Sequence, residues 1–273
     1  MHTFKEKYGP WALVTGASSG IGAEFARQLA VKGLNVVLVA RREERLAVLA
    51  GELGGQHGIE TKVIVADLTT EDGLNTVIKE TVKLEIGLLI NNAGIEDSGC
   101  FLDTPLPKAL TVIDLNCKAP LVLTHHVAVK MRQRKRSGIL FISSLVAFQG
   151  VPYIANYAAS KAYDLIFAES LASEFQAYCI DVLSLNPGFT QTELSPDFDF
   201  KGLPIKPMAP KIVALTGLRA LGKKRVAVPG AMNKFLYFNG KYLQPRKLNS
   251  FSFGRVFSHV LRNKLSRHKG DFR

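Results

Sequence analysis

The segment Tyr157-Ala158-Ala159-Ser160-Lys161 places a phenol four residues before an amine, and Ser144 lies thirteen positions upstream of the phenol. On a helix, residues at i and i+4 project from the same face. A free phenol has a pKa of about 10 and is a poor acid or base near neutral pH. A nearby cation favours the phenolate and lowers that pKa, which would let Tyr157 transfer protons. The spacing therefore indicates a proton-transfer site, although Tyr-x-x-x-Lys alone also occurs by chance.

A glycine-rich motif lies near the start of the chain, in Thr15-Gly16-Ala17-Ser18-Ser19-Gly20-Ile21-Gly22. It follows an apolar run and precedes an amphipathic stretch. Strand, glycine-rich turn and helix form the context in which backbone N–H groups hold a phosphate. Gly16 would allow the tight turn, and Gly20 and Gly22 would allow close approach of ligand and helix. We interpret the motif as a nucleotide-binding loop, with a plain turn as the alternative.

The composition indicates a globular protein. A length of 273 residues with 47% apolar residues is enough for one α/β domain with a large core. No apolar stretch approaches the roughly 18 residues of a membrane span, and the N-terminus lacks a signal-peptide pattern. Cys100, Cys117 and Cys179 are odd in number and widely spaced, so we expect reduced thiols with no disulfide and no metal. A cytoplasmic protein is therefore expected.

The net charge of +12 is distributed unevenly. Residues 1–200 carry 18 Lys or Arg against 22 Asp or Glu, whereas residues 201–273 carry 17 against Asp271 alone. Apolar residues at helical spacing alternate with basic ones near the end, which predicts a basic amphipathic C-terminal extension over residues 231–273. The apolar residues are Phe253, Val256, Phe257, Val260, Leu261 and Leu265, and the basic ones Arg255, Arg262, Lys264 and Arg267.

Three partners for this extension differ in how well the sequence supports them. A basic amphipathic helix can rest on an anionic membrane surface. It can also pack on the protein body or on a second subunit, which is the more common use of an apolar stripe. Nucleic acid is not expected, because the basic residues are spread thinly and no recognition motif accompanies them.

Apolar runs alternate with helix-length segments along the rest of the chain. Strands are predicted at Trp11–Thr15, Asn35–Ala40, Lys62–Ala66, Leu88–Asn91, Ile139–Ser143 and Ile180–Asn186, and helices at 20–32, 43–55, 71–84, 105–135 and 153–178. Continuous apolar strands joined by helices imply a parallel sheet covered on both faces. The predicted fold is therefore α/β, a doubly wound parallel sheet of the Rossmann type over residues 1–230, with ligands at the carboxyl ends of the strands.

In their order and spacing, the motifs resemble the short-chain dehydrogenase/reductase family over about residues 10–230. The matching residues are Thr15-Gly16-x-x-x-Gly20-x-Gly22, Asn91-Asn92-Ala93-Gly94, Asn116, Ser144, Tyr157-x-x-x-Lys161, and Pro187-Gly188 followed by Thr192. The resemblance implies that Tyr157 is the general acid in reduction or the base in oxidation. It implies that Lys161 binds the nicotinamide ribose and lowers the tyrosine pKa. Ser144 would hydrogen-bond the substrate oxygen, Asn116 would hold a relay water, and the cofactor would carry the hydride.

The end of the second predicted strand indicates which nicotinamide cofactor is used. An NAD enzyme usually places Asp or Glu there to accept from the ribose 2′-hydroxyl, whereas this chain has Ala40 followed by Arg41. A guanidinium can pair with a 2′-phosphate, so NADP is predicted, with Ser18 adding a hydroxyl. Arg42 is either a further contact or the solvated start of the next helix.

The resemblance also implies a set of cofactor contacts, with Asp67 and Leu68 at the adenine. That set comprises Gly16, Ser18, Gly20, Ile21, Gly22, Arg41, Asp67, Leu68, Asn92, Ala93, Gly94, Tyr157, Lys161, Pro187, Gly188 and Thr192.

The substrate wall is predicted to be mostly apolar. It would be lined by Val146, Phe148, Val151, Pro152, Tyr153 and Phe189, beside a lid-like segment over residues 193–204. Such a wall suits a ketone, an acyl chain or a polycyclic substrate. The same aromatic residues could equally belong to the core.

The sequence thus predicts an NADP(H)-dependent oxidoreductase that interconverts a carbonyl and a secondary alcohol, as a homo-oligomer by resemblance. One alternative is a membrane-associated reductase of long-chain acyl or steroid-like ketones. A different class is a non-catalytic nucleotide-binding regulatory protein. An intact set of site residues argues against that class, because a site that no longer catalyses a reaction should have lost at least one of them. The set is Ser144, Tyr157, Lys161 and Asn116.

Overall fold

The computed structural model describes residues 3–194, 198–203 and 205–265. Within these ranges the strands are β1 Trp11–Thr15, β2 Asn35–Ala40, β3 Thr61–Val65, β4 Ile86–Asn91, β5 Ser137–Ile142, β6 Ile180–Leu185 and β7 Val226–Ala227. They form one parallel sheet in the order β3-β2-β1-β4-β5-β6-β7. The chain order reverses direction between β1 and β4, which opens a crevice beyond the carboxyl ends of the strands.

The helices are α1 Phe4–Tyr8, α2 Gly20–Val31, α3 Glu43–His57, α4 Glu71–Thr81, α5 Leu106–Ile113, α6 Ala119–Met131, α7 Ala155–Glu174, α8 Pro210–Ala220, α9 Ala231–Phe238 and α10 Arg246–Val260. Short 3₁₀ turns occupy Phe101–Asp103, Leu145–Phe148 and Phe175–Tyr178. Two π-helical turns occupy Asp114–Lys118 and Asn239–Leu243.

Helices cover both faces of the sheet because successive strand side chains point to opposite sides. In β1, Ala12 and Val14 belong to one core with Phe25 of α2. Leu13 belongs to the other core with Val127 of α6. Burying a large apolar side chain stabilises a fold by about 1.5–3 kcal/mol, so both faces contribute strongly. The predicted doubly wound parallel sheet is confirmed.

The predicted helix over 105–135 is wrong in one respect, because the π-helical turn Asp114–Lys118 separates α5 from α6. A π turn adds a residue to one helical turn and often marks a functional position. The six predicted strands agree with β1 to β6 within two residues at each end. The short elements α1 and β7 were not predicted.

The C-terminal extension packs on the rest of the chain through its inner face. Phe257, Val260 and Leu261 are buried in a third core cluster with Val146 and Ile154. A Cβ on Gly254 of α10 would lie 3.0 Å from Cγ of Pro152, so helix and body touch closely. Arg267 lies outside the described residues. Among the described helices, none has the length and apolar character needed to cross a membrane.

Candidate active site

A cleft of about 1160 Å³ lies at the carboxyl ends of the strands β1 to β6 and reaches the C-terminal extension. All predicted site residues line it except Gly22 and Asn116. Those that line it are Gly16, Ser18, Gly20, Ile21, Arg41, Asp67, Leu68, Asn92, Ala93, Gly94, Ser144, Tyr157, Lys161, Pro187, Gly188 and Thr192. Gly22 and Asn116 lie behind this lining and contact residues that form it, Gly22 at Gly16 and Asn116 at Ile95.

The loop between β1 and α2 forms a cradle at one end of the cleft. Gly16 and Gly20 have φ angles of +65° and +55°, a region that other residues rarely adopt. A Cβ on Gly22 would lie 2.3 Å from the carbonyl oxygen of Gly16, so glycine lets α2 approach the loop. Ser19 precedes α2 without a side-chain capping bond. The first N–H groups of α2 are therefore suited to an anion.

The end of β4 supports this loop through hydrogen bonds. The hydroxyl of Thr15 accepts from the backbone N–H of Asn92 at 2.9 Å and of Ala93 at 3.0 Å. The amide of Asn92 donates to the carbonyl oxygen of Thr15 at 2.8 Å. On the opposite side, a Cβ on Gly20 would lie 3.1 Å from the methyl carbon of Thr192. The glycine loop is thus enclosed by the segments that follow β4 and β6.

Arg41 lies at the end of β2 beside Asp67. Its Nη1 is 3.8 Å from Oδ2 of Asp67, whose other oxygen accepts from the N–H and hydroxyl of Thr69. Burial raises the pKa of Asp67, but the bonds from Thr69 and the charge of Arg41 outweigh it, and the net shift is downward. Asp67 is therefore a carboxylate at neutral pH, able to accept a hydrogen bond.

Arg42, rather than Arg41, contacts the glycine loop. Its Nη2 donates to the hydroxyls of Ser18 at 2.9 Å and Ser19 at 2.7 Å. Its Nη1 donates to Glu193 at 2.5 Å, and Arg45 donates to the second oxygen of Glu193 at 2.6 Å. The bonds from Arg42 and Arg45 lower the pKa of Glu193 to about 2. The sequence left Arg42 open, and the structure assigns it this cluster.

Ser143 and Ser144 follow β5, and their hydroxyls differ in role. The hydroxyl of Ser143 is buried and donates to the carbonyl oxygen of Lys161 at 2.6 Å. Ser144 precedes the 3₁₀ turn Leu145–Phe148, and its Oγ accepts from the N–H of Val146 at 3.3 Å. A hydrogen bond from Ser144 also lowers the pKa of Tyr157. Ser144 is thus the hydroxyl that faces the tyrosine.

Tyr157 and Lys161 share one face of α7. Nζ of Lys161 lies 6.0 Å from the centroid of the Tyr157 ring. Burial raises the pKa of Tyr157, and the charge of Lys161 lowers it, as the resemblance implies. Burial outweighs that effect, so the net shift is upward. The phenol is therefore protonated at neutral pH.

Lys161 is paired with Asp164, which the sequence did not single out. Nζ of Lys161 donates to Oδ2 of Asp164 at 3.0 Å and to the carbonyl oxygen of Ile142 at 2.8 Å. The two side chains are only 6% and 3% exposed. Burial raises the pKa of Asp164 to about 6, although Lys161 opposes it. A carboxylate three residues after Lys161 on an otherwise apolar face of α7 was the available signal.

Asn116 is turned inward by the π-helical turn between α5 and α6. Its side-chain oxygen accepts from the N–H of Ile95 at 3.0 Å, and its amide donates to the carbonyl oxygen of Ile95 at 2.9 Å. The amide also donates to the hydroxyl of Ser160 at 3.0 Å. These bonds tie the segment after β4 to α7. The relay water predicted for Asn116 stays a prediction.

The other end of the cleft is apolar. Phe189 packs against Phe200 and Phe257 with ring centroids 4.9 and 5.5 Å apart. The apolar lining at this end comprises Val146, Phe189, Phe198, Phe200, Leu203, Ile205, Met208, Met232, Leu236, Phe253, Val256 and Phe257. Of the predicted wall, Phe148, Val151, Pro152 and Tyr153 are not in this lining. In the predicted lid-like segment, residues 195–197 and 204 lie outside the described ranges.

The part of the wall missed by sequence reasoning comes from α9 and α10. It could not be read from the sequence, because the contacts join residues far apart in the chain. Within the described ranges, no group of three or more His, Cys, Asp or Glu side chains is arranged to hold a metal ion.

Comparison with known proteins gives consistent similarities. A family model for short chain dehydrogenase matches residues 10–199. The 7beta-hydroxysteroid dehydrogenase of Collinsella aerofaciens is 34% identical over 239 residues, covering 84% of this chain and 89% of that protein. The very-long-chain 3-oxoacyl-CoA reductase of Anas platyrhynchos is 38% identical over 200 residues, covering 70% of this chain and 64% of that protein. The inactive hydroxysteroid dehydrogenase-like protein 1 of Homo sapiens is 34% identical over 198 residues, covering 71% and 60%.

Two solved structures extend the similarity to the fold. One concerns 7beta-hydroxysteroid dehydrogenase stereoselectivity, with a TM-score of 0.85, 30% identity and coverage of 93% of this chain and 100% of that one. The other is a short-chain dehydrogenase from Sphingobium yanoikuyae in complex with NADPH. It has a TM-score of 0.76, 32% identity and coverage of 85% of this chain and 93% of that one.

Proposed function

The chain belongs to the short chain dehydrogenase family, and we propose that it interconverts a carbonyl group and a secondary alcohol with NADP(H). One observation carries the proposal. One cleft joins a cationic, glycine-rich end at Arg42 to a partly buried tyrosine, Tyr157, and then to an apolar end. This order fits a cofactor, a proton donor and an apolar substrate placed side by side along the cleft.

The glycine-loop end of the cleft fits a dinucleotide phosphate. Glycine at positions 16 and 22 lets the loop pack closely against Asn92 and α2, since a Cβ at either position would clash with protein atoms. The uncapped start of α2 offers N–H donors to a phosphate. The guanidinium of Arg42, beside Ser18, would hold the 2′-phosphate of NADP, with Arg41 as a second cation. Bound there, the nicotinamide ring would supply or accept the hydride. The NADPH complex of a related dehydrogenase supports this choice of cofactor.

Tyr157 is proposed to donate the proton to the substrate oxygen in reduction and to accept it in oxidation. Because burial keeps its phenol protonated, Tyr157 carries the proton that reduction of a carbonyl requires. Ser144 would donate to the same oxygen and stabilise the charge that develops there. Lys161, fixed by Ile142 and Asp164, would keep a positive charge beside the tyrosine.

The substrate is proposed to be a bulky apolar ketone, of steroid-like or long-chain acyl type. The support is the aromatic and aliphatic lining around Phe189, Phe253 and Val256. The names of the relatives point to the same two classes, since one is a 7beta-hydroxysteroid dehydrogenase and another a very-long-chain 3-oxoacyl-CoA reductase.

The test is oxidation of NADPH, followed by its absorbance, with a panel of steroid ketones, long-chain 3-oxoacyl thioesters and small aldehydes. We expect turnover of a bulky ketone and a lower rate with small aldehydes. The variant Tyr157→Phe should bind NADPH but lose about 10²–10⁴-fold in rate, the range for general acid catalysis. Turnover that survives in Tyr157→Phe would contradict the role given to this residue.

A non-catalytic nucleotide-binding protein is the second candidate, because one relative is named as inactive. The side chains of Ser144, Tyr157 and Lys161 nevertheless share one cleft, and this favours the enzyme. The same panel separates the candidates. NADPH binding without turnover of any substrate would support the regulatory role.

We also propose the division of the chain into a dinucleotide-binding and catalytic unit, 1–230, and the extension, 231–273.

Homo-oligomers are proposed to form through α5 to α7, where four large apolar side chains are between 42% and 69% exposed, namely Leu106, Leu110, Leu121 and Ile166. Light scattering of the purified protein tests this. The cytoplasmic location and the absence of nucleic-acid binding stay predictions.

A further inference from the structure

The outer face of the C-terminal extension exposes large apolar side chains. Phe235, Phe238, Tyr242, Leu243, Leu248 and Phe251 are each between 49% and 67% exposed. Soluble monomers rarely expose large apolar patches, and such patches mark interaction surfaces. We call this set the outer face of the extension, and its chemistry indicates what covers it.

Positive charge lies on the same face. Lys234, Lys241, Arg246, Lys247 and Arg255 are exposed in the same segment, and residues 200–270 contain no Asp or Glu. Nζ of Lys241 lies 5.4 Å from the ring centroids of both Tyr237 and Tyr242. The guanidinium of Arg255 lies 5.8 Å from the ring centroid of Phe251. The cations therefore lie against the exposed aromatic rings, so charge and apolar surface form one patch.

We propose that the outer face of the extension docks on an anionic lipid surface. Mixed aromatic, leucine and basic side chains suit the boundary between lipid headgroups and acyl chains. A second copy that binds through this same face fits poorly, because the symmetric contact would bring like charges together, and residues 200–270 offer no acidic residue to pair them. Nucleic acid would pair with the cations but would leave Leu243 and Leu248 without a role.

The inner face of the same extension lines the cleft, so docking would bring the membrane close to the proposed substrate site. Leu236, Phe253 and Val256 line the apolar end of the cleft. The lipid surface would therefore lie against the elements that enclose this end. The docking itself does not depend on the proposed reaction, since it concerns only the outer face.

The experiment is co-sedimentation of the full chain with vesicles, without NADPH or ketone. One set contains phosphatidylcholine alone, and the other adds phosphatidylserine. We expect the protein to sediment with phosphatidylserine vesicles and to be released by high salt, because salt screens the attraction. The apolar variant Phe235→Ser with Leu243→Ser and the charge variant Lys241→Glu with Lys247→Glu should each reduce the bound fraction about tenfold.

Matched controls lie elsewhere on the surface. Val48→Ser removes an apolar side chain that is 74% exposed on α3, and Lys79→Glu with Lys83→Glu makes the same charge change near α4. These controls should sediment like the unchanged protein. Equal, negligible sedimentation with both vesicle types would overturn the proposal. A different result would also overturn it. If the unchanged protein does not bind vesicles but is a homodimer, and the apolar variant is a monomer, a second copy covers the outer face of the extension. Ketone turnover is assayed separately, so failure of docking leaves the proposed reaction untouched.

Discussion

Lys161 and Asp164 form an ion pair inside α7, with Nζ and Oδ2 3.0 Å apart and both side chains almost fully buried. The two charges act on Tyr157 in opposite directions, since Lys161 lowers its pKa and Asp164 raises it. Asp164 thus fixes the lysine and weakens the field that the lysine exerts. Burial is the largest effect and keeps the tyrosine protonated, and the pair opposes burial less than Lys161 alone would.

Removing this carboxylate should affect the rate more than the stability. Burial raises the pKa of Asp164, so the folded protein favours the neutral form of this side chain, which the amide of Asp164→Asn mimics. We expect the free energy of unfolding to change by less than about 1 kcal/mol, and kcat to fall about tenfold, since Lys161 is less firmly held. Urea unfolding and steady-state kinetics measure the two effects. An unchanged kcat would show that the pair has no positioning role.

Lowering the pH should reduce activity before it reduces stability. Burial raises the pKa of Asp164 to about 6, against about 3.9 in an unfolded chain. The folded protein therefore binds this proton more tightly than the unfolded chain, and lowering the pH from about 7 to about 5 does not weaken the fold through this group. We expect kcat to fall below about pH 6 while the melting temperature holds.

The control for that pH profile is Asp164→Asn, which should lack the decline near about pH 6. A decline that persists in this variant would assign the titration to a different group.

Replacing Arg42 should weaken the binding of NADPH more than the binding of NADH. Arg42→Ala removes the guanidinium beside Ser18, and a hydrogen bond to a charged group is worth about 1.5–3 kcal/mol. We expect the KM for NADPH to rise about tenfold or more, with a small change for NADH. Arg41→Ala should likewise raise the KM for NADPH more than the KM for NADH. Arg45→Ala is the matched control, because Arg45 contacts Glu193 and not Ser18. Equal effects on both cofactors would contradict the NADP assignment.

Removing the anchor of α10 should destabilise the protein. Phe257 is buried among Phe189 and Phe198, with ring centroids 5.5 and 5.9 Å away. Phe257→Ala should lower the free energy of unfolding by about 3–5 kcal/mol, the usual loss for such a core truncation. Chemical denaturation measures it, with Phe251→Ala as the control on the exposed side of the same helix. A loss below about 1 kcal/mol would show that the extension is only loosely attached.

The sequence predicted those features of the fold that a local pattern of residues determines. The strands were found because a parallel sheet buried on both faces requires continuous apolar runs, as in Ile86–Asn91. The glycine loop was found because φ angles near +60° at Gly16 and Gly20 favour glycine. The π-helical turn at Asn116 was missed, because one added residue scarcely alters the apolar periodicity on either side.

Contacts between distant segments could not be predicted. Arg42 and Glu193 are 151 positions apart, and only the folded chain brings them together. The burial of Asp164 likewise depends on the packing of α7, since an isolated helix would leave a carboxylate at that position solvated. The apolar end of the cleft is built largely from α9 and α10, whose placement no local pattern specifies.

The contact of Gly254 with Pro152 and the buried bond from Asn249 to Gln149 at 2.9 Å have a consequence for engineering. They register the extension against the short segment that follows Ser144, in addition to the contacts of Phe257 with Phe189 and Phe198, so a substrate wall exchanged as a unit has to match these body residues. A graft of residues 231–265 from a relative of different substrate choice should transfer that choice only when residues 149 and 152 are transferred with it.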